Sequence, residues 1–161
     1  MEKTDSVRRM VACFRSSTDA IERSWRDRIV IDPDVPSERL TELELADHVP
    51  QLLEQIVAAL EGYATWRDEA EARGEAAGRG PAAKSHVKLR TRQGSDLPQV
   101  LRELHHLREA AIEVCEGQLV HVGGDPARIV HAAIDAAMML AAESSAYPSL
   151  PPPAPAGLTK P

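Results

Sequence analysis

Apolar residues return at spacings of three and four through most of this chain, the signature of helices with one buried face. Val7, Met10, Val11, Phe14, Ile21, Trp25 and Ile29 mark a first helix. It ends before Asp32-Pro33-Asp34-Val35-Pro36, where two prolines forbid continuation. Thr41 followed by Glu44 has the form of a capping box. After it, Val49, Leu52, Leu53, Ile56, Val57 and Leu60 form a narrow stripe in which Pro50 marks a kink or a restart. Gly62 is expected to close this helix. Residues 62–83 are charged, Ala-rich and interrupted by Gly74, Gly78, Gly80 and Pro81. They read as an exposed, mobile connection holding at most one weak helical turn.

A short helix is expected over Ala83 to Gln93, stopped by Gly94. Asp96 then caps a long helix, with Pro98 in its first turn and Gln99 completing a box. That helix is expected to run to about His121 and to act as the spine of the domain, with Gly123-Gly124 ending it. Asp125-Pro126 starts the last helix, whose inward face is Val130, Ala133, Ile134, Ala137, Met138 and Ala141. No segment alternates as a strand does. The expected fold is all-α, an antiparallel bundle of four long helices plus one short helix, with a globin-like flavour. Residues 1–147 form one domain, and residues 148–161 a Pro-rich tail or truncated linker.

Charge narrows the partners. The net charge is -6 over 161 residues, with both signs interspersed, so no basic stripe tracks a phosphate backbone and nucleic acid is not an expected partner. The start Met-Glu-Lys-Thr-Asp lacks a signal-peptide core, and no uninterrupted apolar run of about 18 residues occurs. The expectation is a cytoplasmic protein without a membrane partner. Cys13 and Cys115 each sit in an apolar helical pattern and read as reduced core thiols.

The stretch from His86 to Arg108 departs from this pattern. His86, Arg90 and Gln93 share a face with Leu89, and Arg108 falls within the stripe of Leu97, Leu101, Leu104, Ala111 and Cys115. A buried guanidinium stays charged and must meet a carboxylate, carbonyls or an anion. Two readings are open. Arg90, Glu103 and Arg108 form a structural polar network inside the bundle, or His86, Arg90, Gln93 and Arg108 line a pocket for a small anionic ligand.

His86-x3-Arg90-x3-Gly94-x-Asp96-Leu97, continuing through Glu103-x3-Leu107-Arg108, resembles the helical N-terminal domain of RsbRD-type RsbT co-antagonist proteins. Such domains also stand at the N-terminus of bacterial histidine kinases. Leu43 to Leu60 is similar to that family's second helix, and the likeness spans about residues 5 to 145. It implies a signal-input module of a stressosome or kinase type, attached to an output domain and usually dimeric. An alternative is a standalone scaffold or antagonist of a signalling kinase. Nothing after Tyr147 matches a phosphoacceptor helix, an ATP-binding domain or a STAS domain, and Leu104, followed by His105, stands where the family often carries an aromatic residue after the helix glutamate.

Metal and cofactor chemistry finds little support. Glu103-Leu104-His105-His106 holds a single Glu-x-x-His, whereas helical di-iron sites need two. His105 and His106 point about 100° apart and read as rim residues. A haem bound through His86 or His131 would need an apolar cage, and Phe14, Trp25, Tyr63, Trp66 and Tyr147 are the only aromatics. No nucleophile elbow or phosphate-cradling loop occurs. The expectation is a non-enzymatic module without metal or cofactor that homodimerises through its first or last helix.

Overall fold

In the computed structural model the first apolar face is buried as its spacing requires: α1 (Glu2–Ile31) turns Val7, Met10, Cys13, Phe14, Ile21, Trp25 and Ile29 inward. The structure describes residues 2–35, 41, 48–66 and 69–146. Glu44, the second half of the Thr41–Glu44 box, and the 148–161 tail therefore lie outside the described residues. Beyond Ile31 the Asp32 side chain accepts from the Asp34 amide, turning the chain at Pro33. The second helix, α2 (Val49–Trp66), starts with Pro50 in its first turn, which makes that proline a restart rather than a kink.

Gly62 does not end α2. One glycine costs a helix interior only about 1 kcal/mol, and the next residue, Tyr63, is buried and donates to Asp125 Oδ2 at 2.6 Å. The presumed loose connection is also a helix, α3 (Ala70–Gly78). It has no stripe of large apolar residues and two glycines weaken it, but Ala70, Gly74 and Gly78 recur every fourth residue on one face, and all three are buried. A Cβ at Gly74 would lie 2.7 Å from Ala132 Cβ, and one at Gly78 2.9 Å from Ala136 Cβ, so the missing side chains are what allow the backbones to close. Read as helix breakers, these glycines are instead the packing surface.

Helix α4 (Pro81–Arg92) begins at Pro81 and ends where Gly94 takes φ +81. There Gly94 and Ser95 donate to the Thr91 and Arg90 carbonyls, a Schellman closure. Helix α5 (Leu97–Gly117) opens with the expected capping box, Asp96 accepting from the Gln99 amide and Gln99 accepting from that of Asp96. It stops four residues before His121. Leu119, 94% exposed, takes the left-handed conformation at φ 59, while Leu119 and Val120 donate to the Glu116 and Cys115 carbonyls. A leucine thus occupies the position usually given to glycine in this closure, which is why Gly123-Gly124 misdirects the boundary.

Helix α6 (Gly124–Ala146) buries Val130, Ala133, Ile134, Ala137 and Ala141, and also Ile129 and Ala136 on a second side. Among the described residues it touches all five other helices, so it, rather than α5, is the spine. Its length and composition would suffice to cross a membrane, and 39% of that apolar stretch is buried within the fold. The described residues are all-helical, with no strand: four long helices and two short ones, one short helix more than the periodicity suggests.

Candidate functional site

Glu103 is the point on which four segments converge. On α5 the buried positions are Val100, Glu103, Leu104, Leu107, Ala110, Ala111 and Cys115. This stripe is rotated by about a quarter turn from the one drawn through Leu97, Leu101 and Arg108. The rotation puts Glu103 inside, at 1% exposure, and carries Arg108 to the edge. From α4, Arg90, fully buried, donates from Nε to Glu103 Oε2 at 2.7 Å and from Nη1 to Gln93 Oε1 at 2.9 Å. His86, one turn earlier and also buried, places Nε2 3.4 Å from the same carboxylate oxygen. From α1, Trp25 donates to the Glu103 main-chain carbonyl at 2.9 Å. The α2 end contributes His48, Val49 and Leu52 to the small gap above the carboxylate.

The electrostatics follow from this geometry. Burial alone pushes the Glu103 carboxyl up, and the adjacent His86 and Arg90 overcome it, so the group titrates below the usual glutamate range. The cluster is incompletely satisfied among the described residues. His86 Nε2, although close to the carboxylate, is not aligned for a hydrogen bond, and Glu103 Oε1 and Gln93 Nε2 also have no partner. Each such atom costs about 1–3 kcal/mol relative to a satisfied one. The gap lined by Trp25, His48, Leu52, His86 and Glu103 is too narrow for a water molecule, so the site is closed as it stands.

Arg108 does not join this cluster. Its guanidinium reaches across to α6, donating to the exposed Asp135 at 2.8 Å, and lies 3.3 Å from His105 Nδ1. The expected network of Arg90, Glu103 and Arg108 is therefore two separate pairs, and the four residues proposed to line an anion pocket do not face one space. His106 is not a rim residue either. Its Nε2 lies 2.6 Å from Asp32 Oδ2, and with Arg102, 2.7 Å from Asp34, it clamps the turn after α1 onto α5. The His106 hydrogen bond, then the Asp34 amide and Arg102, hold the Asp32 carboxyl below its ordinary range. His131 borders an open surface cleft between α3 and α6 with Glu75, Arg79 and Arg128. The described residues contain no group of three metal-binding side chains.

Several tertiary polar contacts carry no sequence signal. Gln55 of α2 sits over the α3–α4 turn, where its amide, turned so that oxygen and nitrogen exchange places, bridges the Ala77 carbonyl and the Ala82 N–H at 3.3 Å each. Arg79 at the end of α3 makes a two-pronged pair with Glu143 of α6. Both contacts secure the segment that composition marks as loose. Comparison with family models, curated proteins and solved structures finds no match.

Proposed function

We propose that this chain is a non-catalytic signal-input module, of the kind the RsbRD-type resemblance implies, acting through a partner-dependent change in helix packing. The observation that carries this reading is the α4–α5 junction: a buried ion pair with unsatisfied polar atoms, where the helices are bridged by long side chains instead of close backbone packing. An incompletely satisfied buried network is a natural place for a second arrangement of similar energy, which a partner stabilises by binding it preferentially. Helix α6, in contact with the other five described helices, is the element through which such a change reaches the residues beyond it.

The partner in this reading is a signalling output domain or protein, and the module works as a cytoplasmic homodimer associating through α1 or α6. The four long helices would form the antiparallel core of the family's bundle. Sedimentation at high micromolar concentration should give a dimer. The functional test is hydrogen exchange on the natively purified protein with its co-purifying partner, identified by mass spectrometry. Binding should change protection in α4, the start of α5, and α6. An unchanged pattern would leave a passive scaffold as the better account.

A further inference from the structure

The two cysteines lie 102 positions apart in sequence, yet meet in the core. Cys13 Sγ of α1 donates to Cys115 Sγ of α5 across 2.9 Å. They are the only cysteines in the chain, and both are free thiols. Their sulfurs already point at one another, so covalent closure to the roughly 2.05 Å of a disulfide needs a side-chain adjustment of about 1 Å. The geometry points to an oxidisable dithiol, in which Cys13 and Cys115 close to an intramolecular disulfide that staples α1 to α5 when a hydroperoxide reaches the core.

Access comes from the end of α5. Cys115 lies in its last turn, and its carbonyl accepts the closing bonds from Gln118 and Val120, just before the exposed left-handed Leu119. Opening of that terminus exposes the pair without unfolding the domain. The chemistry balances with the peroxide as two-electron oxidant. Cys13, 3% exposed against 0% for Cys115, takes one peroxide oxygen to become a sulfenic acid, while the other oxygen leaves with a proton as water from hydrogen peroxide or as an alcohol from an organic hydroperoxide. The Cys115 sulfur then attacks the sulfenic sulfur. The S–S bond forms, the S–O bond breaks, and the Cys115 proton leaves with the hydroxyl as water. Burial and the adjacent Cys13 hold the Cys115 thiol well above its ordinary range, so attack is slow and the pair answers sustained oxidation.

This inference stands apart from the signalling proposal, since it needs only the α1–α5 contact. The test is hydrogen peroxide treatment of the native full chain, followed by non-reducing peptide mapping and melting with and without dithiothreitol. Expected are the joint loss of both thiols, a Cys13–Cys115 cross-linked peptide in the monomer, a higher melting temperature, and full reversal by the reductant. Sulfinic acid at either cysteine without a cross-link would overturn it. So would intermolecular dimers as the sole product, or two intact thiols under conditions that fully oxidise a small free thiol. Cys13→Ala provides the independent check: peroxide should then leave the melting temperature unraised, and a rise of the same size would show that the staple is not its cause.

Discussion

The α4–α5 junction and the α3–α6 interface are both buried, but opposite means hold them together. At the first, Arg90 and Glu103 span the space between two helices, and His86 Nε2 and Glu103 Oε1 find no partner among the described residues. At the second, Gly74 and Gly78 let the backbone of α3 rest on Ala132, Ala133 and Ala136 of α6, with Arg79–Glu143 closing the edge. The contrast teaches that polar residues on an apolar face and glycines in a charged stretch are both ambiguous until their neighbours are known. The charged junction is a place of two-sided energetic tension; at the glycines the two backbones pack closely and leave little room for a second arrangement.

Breaking the charged junction should produce the largest effect. Glu103→Leu leaves Arg90 buried without its carboxylate and should cost about 3–5 kcal/mol by urea denaturation, whereas Arg90→Met with Glu103→Leu should recover most of that loss. Equal destabilisation by the single and double variants would show that packing, not charge pairing, holds the site. Because Glu103 titrates below its unfolded value of 4.5, its pair stabilises the fold above that pH, and the contribution is lost as pH falls through the lower folded value. Stability measured from pH 6 down to about pH 3 should therefore fall more gently for Glu103→Gln than for the parent.

The glycine interface should break less severely but more rigidly. Gly78→Ala forces a Cβ against the Ala133 backbone and within 2.9 Å of Ala136 Cβ, so α3 must lift from α6. The expected cost is about 1–3 kcal/mol, although alanine favours an isolated helix. A stabilised variant would mean that α3 is the loose connection its composition suggests.

Arg108→Met should produce the smallest change. Its partner Asp135 is 60% exposed, and such pairs contribute about 0–1 kcal/mol. A loss above roughly 2 kcal/mol would place Arg108 in the core after all.

What the sequence disclosed, and what it concealed, follows from the range of the forces involved. The period of α1, the Asp96–Gln99 box and the Gly94 closure are local, so their residues announce them. The presence of polar residues on the inner faces of α4 and α5 is legible for the same reason. Which of them meet is not. A rotation of the α5 stripe exchanges Glu103 for Arg108 at the centre, and both choices satisfy a three-four spacing. The contacts of Trp25 with Glu103, Asp32 with His106 and Cys13 with Cys115 join positions 74 to 102 residues apart and depend on the packed fold. The helix at Ala70–Gly78 is hidden because its stability is tertiary: nine residues with two glycines are too short to hold alone, and against α6 the small residues become an advantage.

Native-state hydrogen exchange across a denaturant series compares the two regions most directly, because it reads the opening free energy of each helix in one molecule. The account predicts that amides of α4 and the first turns of α5 exchange through a partial opening well below the global unfolding free energy, while those around Ala133 to Ala137 of α6 exchange only on global unfolding. If α4 proves as protected as α6, the charged junction has no second arrangement within reach, and the proposed repacking is contradicted.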